Sequence, residues 1–261
     1  MSPETKSSSG QVKAVGNALK VLTLLGERQD PASLSSIARN IDLHKSSVHR
    51  LLQTMKEYEF VQQDPKSKKY RIGLKFFEIA NTLDREMDIR QQARPFLESL
   101  RDEVNETIHL GIIQDHEVVY LDKMEPDRAL RMYSAVGKRA PMHATGIGKA
   151  VLAHFSDKEL DWYIENKGLS KYTEKTITDL SDLNSELEKI RELGYALDNR
   201  EHEEEIVCVA APIFEREGRV VGALSIAAPA HRRSVDQMSS LGTMVHDYAN
   251  KVSAKLGWKV S

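Results

Sequence analysis

The sequence has a single cysteine, Cys208, among its 261 residues. One cysteine cannot form a disulfide within the chain, and such sparse use fits a reducing compartment, so we expect a cytoplasmic protein. No stretch approaches the roughly 18 consecutive apolar residues of a membrane helix, which excludes a segment of that kind. Residues 1–10 are polar and rich in serine, without the apolar core of a secretion signal, and we expect them to form a disordered tail.

The sequence also lacks the common catalytic motifs. It contains no Walker loop, no glycine-rich Rossmann turn, no Gly-x-Ser-x-Gly elbow and no His-Glu-x-x-His pair. The histidines are scattered, and none lies at metal-ligand spacing from Cys208. His109 and Cys208 each lie in an apolar, strand-like run, which favours a hydrogen-bonded core histidine and an inert core thiol. We therefore predict no enzyme activity, no cofactor and no bound metal.

Positive charge is concentrated near one end of the chain. Residues 10–75 contain twelve lysines or arginines and six aspartates or glutamates, a net charge of +6, whereas residues 76–261 carry −8. The length allows about two domains, and 40% hydrophobic with 29% charged residues is ordinary for globular proteins. This division predicts a nucleic-acid-binding module joined to a domain with another role.

Residues 33–57 have the pattern of two short helices joined by a turn at 40–43. A serine, Ser33 or Ser36, can cap the first helix, and apolar residues recur at helical spacing in both. Short hydroxyl and basic side chains in the first turns of the second helix suit a major groove, because they reach phosphates and base edges without clashing. A solvated surface helix pair is the alternative. The residues predicted to contact DNA here are Lys45, Ser46, Ser47, His49 and Arg50.

A basic hairpin follows this helix pair. Strands are predicted at 60–63 and 69–72, joined by an Asp-Pro turn at 64–68. Lys66 and Lys68 lie in that turn, where they are predicted to bind backbone phosphate. With a further helix at 11–28, whose apolar face packs behind the other two, residues 11–73 are predicted to form a winged helix-turn-helix domain.

Residues 74–91 are predicted to form a linker helix. Its continuous apolar stripe favours a dimer contact over packing against its own chain. A dimer would place two recognition helices on the half-sites of a pseudo-palindromic double-stranded operator, about one helical turn apart.

Residues 92–258 alternate helices and strands, which predicts a mixed α/β (α+β) domain. Pro95 is expected early in a helix that reaches residue 105. The predicted strands are 107–114, 117–123, 130–135, 207–214 and 220–227, and the further predicted helices are 148–155, 157–166, 180–193 and 235–256.

Two local patterns in this domain indicate small-molecule binding. Gly146 and Gly148 lie at the start of a helix, where backbone N–H groups and the helix dipole favour a carboxylate or phosphate; a simple tight turn is the alternative. The acidic run 198–205 leads into the strand that contains Cys208. Such a run is usually a solvated loop, although loops on a rigid sheet also carry binding groups.

From about Val12 onward the chain resembles the IclR (isocitrate lyase regulator) family of bacterial transcriptional regulators. The resemblance implies a winged-helix domain, a linker helix, a C-terminal effector domain of GAF-like fold, and homodimers that pair into tetramers. The segments that carry it are 34–38, 45–52, 142–150, 194–198, 208–213 and 222–226.

The resemblance also implies an effector pocket. Within the family the chain resembles a repressor of pectin and sugar-acid catabolism that responds to 2-keto-3-deoxygluconate, and this likeness implies a repressor of a sugar-acid catabolic operon that a small carboxylate releases. Gly146 and Ile147 would offer backbone N–H groups to the carboxylate, and Asp198 would accept hydrogen bonds from ligand hydroxyls. Ala227 departs from the family, because relatives often carry a second pocket serine there. The implied effector-binding residues are Met132, Gly146, Ile147, Asp198, Cys208 and Ser225.

Three alternatives stay open at this point. The protein is an activator in one of them, since both signs of regulation occur in the family. In the second it is an enzyme that depends on Cys208, which requires an exposed thiol within hydrogen-bonding reach of His109 or His143. The third is a redox sensor, which the absence of a second cysteine disfavours.

Overall fold

The computed structural model of the protein describes residues 12–28, 30–80, 84–127 and 134–259. The chain forms two compact units, which divide between Asp84 and Arg85. No described helix is long and apolar enough to cross a membrane. The first unit consists of α1 (Lys13–Gly26), α2 (Leu34–Asn40), α3 (Lys45–Glu57), the antiparallel strands β1 (Val61–Gln63) and β2 (Tyr70–Ile72), and α4 (Lys75–Ala80).

The core of the first unit lies between its helices and the hairpin. Ile37 from α2 and Val48 and Leu52 from α3 are wholly buried, which confirms the helical spacing in the sequence. The apolar face of the first helix was predicted to pack behind α2 and α3, and this prediction is wrong at the N-terminal end of the helix. Val21 and Leu25 are buried, but Val12, Val15 and Leu19 each leave more than half of their surface exposed.

The second unit is built on one sheet. Its elements are α5 (Asp84–Val104), β3 (Thr107–Gln114), β4 (Glu117–Met124), β5 (Arg139–Ala140), α6 (Gly146–Leu152), α7 (Asp157–Lys167), α8 (Leu180–Leu193), β6 (Ala196–Asn199), β7 (Ile206–Phe214), β8 (Val220–Pro229), α9 (Val235–Ser239) and α10 (Gly242–Lys255). The six described strands are antiparallel to their neighbours, in the order β5-β4-β3-β8-β7-β6. This arrangement confirms the predicted mixed α/β class.

Alternation along β7 separates the two faces of the sheet. Val207 and Val209 belong to a core formed with α5 and α10, whereas Cys208 and Ala210 belong to a second core formed with α6 and α8. Successive side chains of a strand point to opposite faces, so the helices on the two sides receive alternate residues. The face that carries Cys208 and α6 is the one on which the candidate ligand pocket lies.

Three predicted elements differ in the structure. Helix α5 begins at Asp84, so Pro95 lies inside it; buried Ala93 and Leu97 hold the helix on the sheet through the proline. The helix predicted at 235–256 is two helices, α9 and α10. Gly242 begins the second and packs against the Tyr195 ring, which leaves no room for a Cβ atom. Strands β5 and β6 were not predicted. Residues 130–133 of the strand predicted at 130–135 lie outside the described residues, and 134–135 are not in a strand.

Candidate functional site

The first turns of α3 form an exposed polar surface. Val48, Leu52 and Met55 point into the core, and no acidic residue lies in the first turn. Ser33 caps the preceding helix, since its hydroxyl accepts a hydrogen bond from the N–H of Ser36. The five residues predicted to contact DNA are all exposed on α3: Lys45, Ser46, Ser47, His49 and Arg50.

The tip of the hairpin between β1 and β2 is held by Asp64. Its carboxylate accepts hydrogen bonds from the N–H groups of Lys66 (3.1 Å) and Ser67 (2.6 Å) and from the Ser67 hydroxyl (2.8 Å). The bonds from Ser67 lower the pKa of Asp64, so the carboxylate that organises the turn is charged. Lys66 and Lys68 are both exposed on this fixed turn, which preorganises them for an anion such as phosphate.

A polar pocket lies in the second unit, between the start of α6 and the sheet. Its cavity volume is about 40 Å³, which is room for very few water molecules. Five of the six residues that the family resemblance implied line it; the sixth, Met132, lies outside the described residues. The lining consists of His109, Tyr120, Ser134, Thr145, Gly146, Ile147, Asp198, His202, Glu203, Ile206, Cys208, Ser225 and Ala227.

Strand register assembles the floor of this pocket. Asp198 on β6 pairs with Cys208 on β7, and Cys208 in turn pairs with Ala227 on β8. His109 on β3 pairs with Ser225 on β8. Residues that are far apart in the sequence therefore lie side by side on one face of the sheet.

The start of α6 closes the pocket from above. The Thr145 hydroxyl accepts a hydrogen bond from the N–H of Gly148 (3.2 Å) and donates one to the carbonyl of Pro141 (2.7 Å). A Cβ atom on Gly146 would lie 3.1 Å from Cys208 Sγ, so the glycine lets the helix start approach the strand. First-turn N–H groups such as those of Gly146 and Ile147 have no acceptor within their own helix.

His109 is a buried, hydrogen-bonded histidine, as its sequence context predicts, but it also lines the pocket. Its Nε2 lies 2.7 Å from Ser134 Oγ and its Nδ1 lies 3.5 Å from Ser225 Oγ. Burial, together with the Lys123 ammonium, lowers the pKa of His109 to about 3, so the ring is neutral near pH 7. This role was not predicted from the sequence, although period-two alternation along the strand places residues 107, 109 and 111 on one face.

Asp198 is a buried acid in the pocket. One carboxylate oxygen accepts a hydrogen bond from the N–H of Glu201 (2.8 Å). Burial and, to a smaller extent, the nearby Glu201 carboxylate raise the pKa of Asp198 to about 7, against the opposing effects of that hydrogen bond and of Lys149. The alternative of a solvated loop does not hold for Asp198 and Glu201, which are each 5% exposed.

Asp198→Asn is expected to remove a pH dependence of the free energy of unfolding. The pKa of Asp198 is 3.8 ordinarily and about 7 in the fold, so between these values the native state holds a proton that the unfolded chain has released. This stabilisation is complete at low pH and is lost as the pH rises through about 7. In urea unfolding at several pH values, wild type should lose up to about 1.4 kcal/mol per pH unit relative to the variant. Parallel curves would contradict this assignment.

Cys208 does not meet the conditions for a catalytic nucleophile. Only 7% of the residue is exposed, and burial strongly raises the pKa of its thiol, which keeps it protonated. His109 is bonded to two serines, while His143 is bonded to the Tyr163 hydroxyl and the Ser170 carbonyl. The alternative of an enzyme that depends on Cys208 therefore has no support in this geometry.

Comparisons with known proteins find relatives for both units of the chain. One family model, for the IclR helix-turn-helix domain, matches residues 14–65, and another, for the C-terminal domain of bacterial IclR regulators, matches residues 81–254. The HTH-type transcriptional regulator KdgR of Escherichia coli K12 is 36% identical over 251 residues, or 95% of each chain. The HTH-type transcriptional repressor AllR of Escherichia coli K12 is 34% identical over 95% of this chain and 91% of its own. The crystal structure of Thermotoga maritima IclR has a TM-score of 0.82 and 31% identity, over 95% of this chain and 100% of that chain.

Proposed function

The chain belongs to the IclR family of DNA-binding transcriptional regulators, and from this premise we propose that it represses a sugar-acid catabolic operon until a small carboxylate effector binds. The observation that carries the effector assignment is the polar pocket, in which a helix start faces hydrogen-bonding side chains. AllR, a relative named as a repressor, supports the sign of regulation. We assign no cofactor, no resident metal and no catalytic role, and a cytoplasmic location.

The pocket chemistry suits a hydroxylated carboxylate. The N–H groups of Gly146 and Ile147 would bind the carboxylate, while Asp198 and Ser225 would bind hydroxyls and Cys208 would pack beneath the ligand. Neutral His109 adds a further polar contact on the same face. A six-carbon acid such as 2-keto-3-deoxygluconate is larger than the cavity of about 40 Å³, so binding must displace lining residues. That displacement is the local change through which an effector acts.

Exposed basic side chains on α3 and on the hairpin tip support operator binding by the first unit. Residues 11–73 would bind the operator through α3 and the hairpin tip, residues 74–91 would link the domains, and residues 92–258 would bind the effector. Exposed apolar side chains on the first unit, among them Leu19, Leu74 and Phe77, suit a dimer contact. Two chains would then read the two half-sites of a pseudo-palindromic operator, and two such dimers would form a tetramer.

Regulation requires that the effector prefer one arrangement of the protein. Only a difference in effector affinity between the operator-bound and operator-free states can change DNA binding. A coupling free energy of about 1–3 kcal/mol would give roughly a 5- to 150-fold change in operator affinity. By the same linkage, operator DNA must weaken effector binding by that factor if the effector releases the repressor.

A ligand panel tests the proposal. The full-length protein is heated with sugar acids and small keto acids, including 2-keto-3-deoxygluconate, and its melting temperature is recorded. We expect a selective rise with 2-keto-3-deoxygluconate, and weaker operator binding in its presence. No rise across the panel, with operator binding intact, would discard the sugar-acid assignment and point to Ala227 as the first residue to change. Tighter operator binding with the ligand would instead identify an activator or co-repressor response.

A further inference from the structure

A lysine without any exposed side-chain surface lies next to the pocket. Lys149, one turn along α6 from Gly146, places its ammonium 2.6 and 2.8 Å from the two carboxylate oxygens of Glu201. Glu186 on α8 lies 3.2 Å from the same ammonium. Desolvating an ammonium and a carboxylate is costly, and the mutual attraction offsets this cost only in a close geometry such as this one.

Glu201 connects this ion pair to the pocket. Its N–H donates to Asp198 Oδ1 (2.8 Å), and its side-chain Oε1 accepts from the N–H of Asn199 (3.2 Å). Its carbonyl oxygen accepts from the Thr176 hydroxyl (2.6 Å). The segment from Asp198 to Glu203, here called the acid loop, is therefore fastened to α6 through the Glu201 side chain. Both ends of the acid loop line the pocket.

The two carboxylates on Lys149 differ in their surroundings. Glu186 leaves a quarter of its side chain exposed and lies on a helix that contributes no residue to the described pocket lining. Glu201 is buried and lies between three residues that do line it, Asp198, His202 and Glu203. Loss of Glu186 should therefore disturb the ammonium alone, whereas loss of Glu201 should also release the acid loop.

We propose that the buried Lys149–Glu201 ion pair fixes the acid loop against α6 and so positions Asp198 for the effector. The proposal rests on the function proposed above. It makes Lys149 and Glu201 positioning residues, which govern effector affinity without being part of the α6 donors or the pocket floor. Two contacts connect Lys149 to Asp198: the Lys149 ammonium binds the Glu201 side chain, and the Glu201 backbone N–H donates to the Asp198 carboxylate.

The lone thiol allows a test that needs no effector. Cys208 pairs with Asp198 across the sheet and lines the pocket, and every alkylation event reports on it because the chain has no other cysteine. Iodoacetamide labelling is followed by mass spectrometry in wild type, Glu201→Ala and the control Glu186→Ala. We expect Glu201→Ala to label at least about tenfold faster than Glu186→Ala, because local opening exposes the thiol.

Global unfolding must be separated from local opening. The free energy of unfolding of each variant is measured in urea, and the labelling rates are compared after the globally unfolded fraction is subtracted. Equal residual rates for the two variants would overturn the proposal. If Glu201→Ala does not fold, Lys149→Met/Glu201→Met replaces both charges with apolar side chains, an exchange that often preserves stability. The same acceleration is expected there.

A second experiment measures the affinity of the full chain for 2-keto-3-deoxygluconate by calorimetry. Glu201→Ala should bind it at least about tenfold more weakly than wild type, and Glu186→Ala within about threefold. Glu201→Gln, whose amide oxygen can still accept from Lys149 and Asn199, should recover most of the affinity. Equal losses in both alanine variants would overturn the positioning role while leaving the effector assignment intact. If wild type does not bind this acid but the labelling rates differ as expected, the sugar-acid assignment fails and the positioning of the acid loop stands.

Discussion

Replacement of Arg50 by alanine is expected to weaken operator binding by roughly 30-fold to 20,000-fold. Arg50 is exposed in the first turns of α3, on the side opposite Val48 and Leu52. A bidentate arginine contact to a base contributes about 1–3 kcal/mol, and a dimer would lose two of them. The measurement is operator titration by fluorescence anisotropy at one fixed salt concentration, since salt alone changes such affinities strongly.

The control for this prediction is Arg28→Ala, which removes an exposed arginine of the same unit that does not lie on α3. It should keep operator affinity within about threefold, as a screened surface charge does. The affinity of Arg50→Ala for an effector should equal that of wild type, because Arg50 does not line the pocket. Unchanged operator affinity in Arg50→Ala would remove α3 as the reading helix.

Gly148→Ala is expected to destabilise the second unit by about 3 kcal/mol or more and to abolish the effector response. A Cβ atom at this position would lie 2.2 Å from the Met142 Cα atom and 2.2 Å from its carbonyl oxygen, so backbone would have to move. The displaced backbone would be the start of α6, which holds the proposed carboxylate donors. Both tryptophans, Trp162 and Trp258, lie in this unit, and their fluorescence during urea unfolding measures the loss.

Gly16→Ala is the matched control for Gly148→Ala, and the opposite change in stability is expected for it. Gly16 lies inside α1, and a Cβ atom added there has no neighbour within 4 Å. Helix propensity then acts alone, and alanine should stabilise the first unit by up to about 1 kcal/mol, as seen in circular dichroism at the helix band. A gain in stability at both positions would show that the contact with Met142 is looser than the structure has it.

The proposed DNA-binding surface could be predicted almost completely from local sequence. The Ser33 cap, the spacing of Ile37, Val48 and Leu52, and the Asp64 turn are each set by residues within a few positions of one another. Helical period alone then decides that Lys45 and Arg50 face solvent. Even there the predicted burial of the apolar face of α1 is only partly observed, because apolar spacing identifies an apolar face but not the element that packs against it.

Local patterns indicated the helix start at Gly146 and the acidic run 198–205 separately, and only the family resemblance predicted that they line one pocket. That resemblance named Gly146, Asp198, Cys208 and Ser225, and the fold brings them together, but nothing in their spacing places them side by side. His109 was missed as a lining residue because an apolar strand context does not reveal which strand lies beside it. The register of β3 on β8 supplies that information by pairing His109 with Ser225.

Local sequence is enough to predict the two-part charge division, the winged helix-turn-helix with its exposed basic residues, and the mixed α/β class of the rest. These properties follow from composition and from periodicity over a few residues. The tertiary structure alone decided that Lys149 is buried against Glu201, that Asp198 has a pKa of about 7, and that His109 faces the pocket. Burial and charge pairing depend on contacts between elements that are distant in the sequence, such as Lys149 and Glu201, 52 positions apart, and local patterns do not encode them.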